Sequence, residues 1–172
     1  AFVHLPFPRS ASGLDQGFDL FEEGEDLTAE ARTREAIEWT EDRKKRPFFL
    51  WIHYPDAAMP YDPPEDDRLL EEGFYGGPYQ ERFDYRPTRG CRVFGHRPLG
   101  DADMARAIAL YDGEIRSVDR MIGRLIESLE ASDKIHDTLI LLSGTHGESL
   151  GEHGYWFDHG EFLYDPSLHI PI

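Results

Sequence analysis

An α/β fold with a largely parallel central sheet flanked by helices is predicted by three stretches of this 172-residue sequence. Residues 48–54, FFLWIHY, form an apolar and aromatic run bounded by prolines, the composition of a strand covered on both faces. Residues 102–131 carry an apolar stripe at helical spacing, and 138–144, TLILLSG, read as a second buried strand. Strand, long helix and strand make a crossover unit, and such a crossover joins parallel neighbours.

The elements follow in chain order. A chain of this length buries roughly two thirds of its unfolded surface, enough for one domain with a core. LTAEARTREAIEWTEDRKKR, residues 27–46, predicts a surface helix. Thr28 is its N-cap and Leu27 its staple; Glu30 suits the positive end and Arg43 to Arg46 the negative end. Pro47 stops it ahead of the first strand. From Pro55 to Leu99 periodicity disappears, and a connection of that length is either a functional surface or poorly ordered. Phe74, Tyr75, Tyr79, Phe83 and Tyr85 predict that part of it packs. Asp62, Glu65, Asp66 and Asp67 read as a solvated face. Met104, Ile108, Tyr111, Ile115, Val118, Ile122, Leu125 and Leu129 then recur at steps of four and three, a core-facing stripe with Asp101 or Asp103 as cap. The helix from Ala102 to Ala131 should run about 45 Å at about 1.5 Å per residue. SDKIHD turns the chain into the second strand.

Lys and Arg number 18 against 34 Asp and Glu, a formal charge of -16. That field opposes nucleic acid and anionic membranes, so nucleic acid is set aside as a partner. No run approaches the roughly 18 apolar residues that span a bilayer. The opening AFVHLPFPRS has neither an initiator Met nor a signal-peptide layout, and SLHIPI stops inside an apolar segment, so the sequence is expected to be part of a longer one. Cys91, the single cysteine, allows no internal disulfide and no multi-cysteine zinc site. Secreted, periplasmic and cytoplasmic locations all stay open, as does oligomeric state.

In parallel sheets, ligands collect at the carboxyl ends of strands. HYPDAAMPYDPP follows the first predicted strand and GTHGESLGEHG the second. Gly144 and Gly147 permit a turn that re-aims Thr145 and His146 into a common site. The histidines of this tail could in principle bind zinc. Against that, they lack a His-Glu-x-x-His pair, and Gly147, Gly151, Gly154 and Gly160 disfavour the helix such a pair needs.

Four blocks, GLDQGFD at 13–19, FFLWIHYPDAAMPYDPP at 48–64, YDGEIRSVDRMIGRLIESL at 111–129 and THGESLGEHGYWFDHGEFLYDPSLHIPI at 145–172, resemble consecutive parts of the sulfatases of the alkaline phosphatase superfamily. The resemblance implies an alkaline-phosphatase-like core, with residues 1–172 a single partial domain truncated at both ends and 65–100 a variable loop insertion. It implies hydrolysis of sulfate esters on a sulfated small molecule or glycan, assisted by calcium or another divalent cation. Its nucleophile is a formylglycine made from cysteine in a Cys-x-Pro-Ser-Arg context. Cys91 is followed by Arg-Val-Phe and does not match, so the nucleophile and two metal-binding aspartates are expected upstream of this chain, which alone should be inactive.

Two departures fall inside matching blocks. The family usually has Asp before His or Asn and Gly, where this sequence has Thr145, His146 and Gly147. A neutral hydroxyl there withdraws one charge from a hard cation's ligands. In place of the family's DPHAPY stands DAAMPY, so Ala58 occupies the position of a histidine serving the leaving group or the sulfate. His159 falls near the position of a basic group that touches sulfate; the alternative is that it hydrogen-bonds its loop. His146 is assigned to metal or substrate contact, again with a loop hydrogen bond as alternative. Glu148 and His153 are assigned to tying the turn to the sheet. His4, His53, His96, His136 and His169 read as ordinary surface or satisfied interior residues. A pseudoenzyme that binds sulfated or phosphorylated ligands without cleaving them is the other reading, and a phosphonate or phosphodiester monoesterase is a neighbouring activity.

Overall fold

The computed structural model describes residues 2–3, 13–23, 28–43, 46–68, 75–85 and 99–172, which fall into two compact units. Unit one comprises Ala1–Ala58 and Glu114–Thr138, and unit two Met59–Gly113 and Leu139–Ile172.

In unit one, β1 (Phe2–Val3) pairs in parallel with β2 (Glu22–Glu23). Helix α1 spans Ala29–Asp42, and Thr28 caps it as the sequence predicts, its Oγ1 accepting the Ala31 amide at 3.3 Å. Asp56 adds a second cap, its Oδ1 accepting the Ala29 amide at 2.8 Å. At the other end Lys134 Nζ donates to the Thr40 carbonyl at 2.6 Å, offsetting the helix's negative pole. No basic residue lies in the last turn; Arg43 is the C-cap and rests over the Trp39 ring. The inward face of α1 carries Ala29, Arg32, Thr33, Ala36 and Thr40. Burial of the Arg32 guanidinium pulls its pKa below the usual value, opposed by the charges of Asp56 and Glu35. The proposed staple, Leu27, lies outside the described residues, as do Phe74, Cys91, His4 and His96.

Helix α2 spans Asp101–Ala131, within one residue of the predicted bounds. It ends in a Schellman arrangement: Asp133 takes φ 56, Lys134 N donates to Leu129 O, and Asp133 N to Glu130 O. Its buried side chains differ from the predicted stripe. Met104 and Leu129 are buried, but Ala107, Leu110, Glu114, Ser117 and Met121 join them, while Ile115 is exposed. A β-carbon on Gly113 would come within 2.8 Å of the Asp67 carbonyl and 2.9 Å of Pro63 Cγ, so the glycine lets loop backbone lie against the helix. Asp103 does not cap; its Oδ1 accepts the Tyr75 hydroxyl at 2.5 Å.

The core of unit two is aromatic. Tyr61 and Phe83 are fully buried, joined by a two-way backbone bridge, and pack with Met104, Ala107, Leu110 and Phe157. Part of the long connection therefore packs, as its aromatics predict, with Tyr79 and Tyr85 beside this cluster. The acidic run needs one correction: Asp67 is buried at the end of a 3₁₀ turn, Glu65–Asp67, while Glu65 and Asp66 are exposed.

The two runs expected to be buried strands are irregular here, apart from a single bridge at Ile52. Leu139 and Leu141 are 85% and 83% exposed and Ile140 and Leu142 less so, the period-two pattern of a strand without its covering. A doubly covered strand needs neighbours on both edges, and from Leu139 to Gly144 the backbone bond described to another segment is Gly144 N to Pro171 O at 3.4 Å.

Candidate functional site

The loop after residue 144 and the ribbon behind it form one structure in unit two. Strand β3 (Ser149–Leu150) runs antiparallel to β4 (Trp156–Asp158), joined by a tight turn in which Gly151 takes φ 124. Leu150 opposes Trp156 and Ser149 opposes Asp158, leaving Phe157 as a bulged extra residue with φ 50. A left-handed backbone costs a non-glycine residue about 1–2 kcal/mol. Burial of the Phe157 ring against Phe83, with centroids 4.7 Å apart, offsets that cost. The bulge bends the strand just before Asp158 and His159, whose amide is held by Asp158 Oδ1 at 2.9 Å.

The bend brings His159 onto His146. Their rings stack, with centroids 3.6 Å apart and planes 18° from parallel. His146 is exposed, with Nδ1 2.8 Å from the Gly147 carbonyl oxygen. Beneath the pair lies Glu148, whose side chain is 6% exposed against 37% for His159. Glu148 Oε1 is 3.2 Å from His159 Nδ1, and Oε2 accepts the Tyr61 hydroxyl at 3.3 Å. Burial raises the pKa of Glu148, while its bonds to His159 and Tyr61 act in the opposite direction. Tyr61 is also pushed upward, by burial first and then by the charge of Glu148.

The positions singled out in the sequence are distributed as follows. His146 and His159 meet, and Thr145 is exposed beside them. Ala58 belongs to unit one, its amide donating to Pro55 O at 2.8 Å and its methyl group exposed. His153 stacks on Tyr164 at 4.1 Å, consistent with its assignment to the turn. Glu148, assigned in the sequence to tying the turn to the sheet, holds His159 instead. The spacing of two between His146 and Glu148 is the local signal of a shared side; Tyr61, 87 residues distant in sequence from Glu148, has no comparable signal.

What this loop can do is present one partly open imidazole, fixed from behind by a buried carboxylate, beside a second imidazole and a hydroxyl. Such a surface offers hydrogen-bond donors and, on protonation, positive charge to an anion.

Residues 15–172 match the Sulfatase family. An arylsulfatase of Clostridium perfringens is 29% identical over 74% of this chain and 27% of its own length. Human iduronate 2-sulfatase is 26% identical over 81% of the chain and 29% of its own length. A choline-sulfatase of Rhizobium meliloti is 28% identical over 77% and 27% respectively. The chain thus spans less than a third of the length of these relatives, but the family match covers nearly all of the chain: it belongs to the sulfatase family, whose domain is an alkaline-phosphatase-like α/β fold.

Proposed function

We propose that the protein carrying this chain hydrolyses sulfate esters of a small molecule or glycan, and that the loop from Thr145 to His159 forms one wall of the sulfate pocket. The observation that supports this most is the pairing of a partly exposed His159 with a buried Glu148 in a chain of this family. In such a hydrolysis the bond between sulfur and the alcohol oxygen breaks, that oxygen gains a proton, and water supplies the new oxygen on sulfur. His159, when both ring nitrogens carry a proton, would donate a hydrogen bond from Nε2 to a sulfate oxygen while Nδ1 stays on Glu148. Formylglycine, if it supplies the nucleophile, lies outside this chain. In the whole protein, runs 48–54 and 138–144 would be strands of a largely parallel sheet, which accounts for the alternating exposure from Leu139 to Leu142.

The family generally uses a divalent cation, and calcium prefers six to eight oxygen ligands, some anionic. The residues here fit it poorly. Thr145 offers a neutral hydroxyl and His146 one ring nitrogen beyond the Nδ1 that faces Gly147 O. Among the described residues no three His, Cys, Asp or Glu side chains converge on a metal position. No step is therefore routed through a metal.

A second reading is favoured by Thr145 and Ala58, which stand where a carboxylate and a histidine are expected: a pseudoenzyme that binds sulfated ligands without cleaving them. Steady-state assay of the full-length protein with p-nitrophenyl sulfate, beside calorimetry with inorganic sulfate, separates the two. Turnover that falls at least tenfold in His159→Ala supports the hydrolase. Sulfate binding with no turnover supports the binder, and neither turnover nor binding removes both.

A further inference from the structure

We propose that Glu148 is a positioning residue: supported by Tyr61 from the core, it fixes the tautomer and ring orientation of His159 so that Nε2 is the nitrogen left to face a ligand. This deepens the sulfate-pocket reading and rests on it for the identity of the ligand, but the device itself is independent of that identity.

Three observations carry it. First, both oxygens of Glu148 are engaged, Oε1 with His159 Nδ1 and Oε2 with the Tyr61 hydroxyl. When Glu148 is ionised both of its oxygens accept, and the ring then carries its proton on Nδ1 to make this bond. Second, the arrangement is asymmetric in exposure. The Glu148 side chain is buried while His159 is partly open, so one edge of the imidazole is anchored to the interior. A largely buried carboxylate is costly unless it is satisfied, and a satisfied one holds its partners in a narrow range of geometry. Third, the anchor is rigid. Tyr61 is fully buried, stacks on Phe83 with centroids 5.9 Å apart and lies 5.2 Å from the Tyr111 ring. Its hydroxyl is therefore set by the same aromatic core that holds the bulged Phe157 two residues before His159. The core thus fixes His159 twice, through the backbone of the bulge and through the hydrogen-bond line Tyr61 to Glu148 to His159. Stacking of His146 on the ring face restricts the plane of the His159 ring.

The test uses the full-length protein, its Glu148→Met and Tyr61→Phe variants, and Glu148→Asp as a rescue. Ring-nitrogen shifts of ¹⁵N-labelled histidine, assigned by loss of one signal in His159→Gln, report the tautomer without reference to activity. The expected result is a protonated Nδ1 and an unprotonated Nε2 on neutral His159 in the parent, a change toward the Nε2-protonated form in Glu148→Met, and a partial change in Tyr61→Phe. With p-nitrophenyl sulfate, kcat/KM should fall roughly 10- to 100-fold in Glu148→Met, the size usual for partners that orient a ligating or reacting histidine. Glu148→Asp should recover part of it. Should Glu148→Met fail to fold, Tyr61→Phe, which retains the ring, carries the same comparison. Parent-like histidine shifts in the folded variants would overturn the positioning role even where the protein is an active sulfatase. A shifted tautomer in a protein without sulfatase activity would sustain the role and remove the substrate instead.

Discussion

A β-carbon on Gly147 would lie 1.9 Å from the carbonyl oxygen of Pro166. The glycine therefore permits the loop bearing Thr145 and His146 to lie against helix α3 (Asp165–Leu168), and its own amide donates to Ser167 O at 2.9 Å. The contact is with backbone, which cannot rotate away as a side chain can. Gly147→Ala should cost about 1–3 kcal/mol, as overpacking against fixed atoms does. It should also separate the two stacked imidazoles. Urea unfolding gives the first quantity, and loss of the ring-current shift between His146 and His159 gives the second. A variant as stable as the parent would mean that the loop is not seated on α3.

The cap that Asp56 provides to α1 yields a second expectation. Asp56 Oδ1 holds the Ala29 amide, and its charge favours the protonated form of the buried Arg32. Asp56→Ala removes both and should destabilise by about 1–3 kcal/mol. Asp56→Asn keeps an acceptor for Ala29 and should lose less. Equal losses in the two variants would assign the whole effect to charge, which denaturant midpoints decide directly.

The buried phenols predict the behaviour in alkali. Tyr54, Tyr61 and Tyr111 all have raised pKa values, each chiefly through burial. With a native pKa above the unfolded value of about 10, the folded chain retains a proton that the unfolded chain releases. Their contribution is complete below about pH 10 and is lost as the pH climbs through the native value. Melting temperature should therefore fall above about pH 10, and Tyr61→Phe should make that fall shallower. Tyrosinate absorbance should show Tyr61 ionising only with unfolding; ionisation alongside exposed tyrosines would contradict its burial.

How much of this was legible in the sequence depends on how far apart the interacting residues lie. Thr28 and the Ala29–Asp42 helix follow from neighbours within one turn, and so do the bounds of Asp101–Ala131. The rotation of that second helix does not. Apolar spacing points to Ile115 as core, yet it is exposed while Ser117 is buried. Runs 48–54 and 138–144 have strand composition, but a ladder requires partners that composition does not specify. At the candidate site, His146 and His159 are singled out by motif positions, and their rings stack. The bulge at Phe157 that brings them together, and the Tyr61 hydroxyl behind Glu148, depend on contacts between distant segments. Asp67 likewise reads as a solvated charge in the sequence, yet it is buried, with its backbone carbonyl against Gly113 of the helix.

Thr145 gives the sharpest expectation about metal. If its position is that of a ligand, restoring a carboxylate adds an anionic oxygen to a cation's surroundings. A unit charge pair about 4 Å apart is worth about 4 kcal/mol at an effective dielectric near 20, and part of this is returned in desolvation. A gain of only about 1.4 kcal/mol would tighten calcium tenfold. Since a ligand that binds only the folded state raises its stability by an amount set by concentration relative to Kd, the gain is visible in melting. In the full-length protein, calcium should raise the melting temperature little in the parent and several degrees more in Thr145→Asp, with magnesium less effective because it demands a stricter octahedral shell. Thr145→Asn, whose amide carbonyl is a better calcium ligand than a hydroxyl but carries no charge, should fall between them. Equal calcium shifts in parent and Thr145→Asp would place residue 145 away from the cation, and the case for its having replaced a metal-binding aspartate would end there.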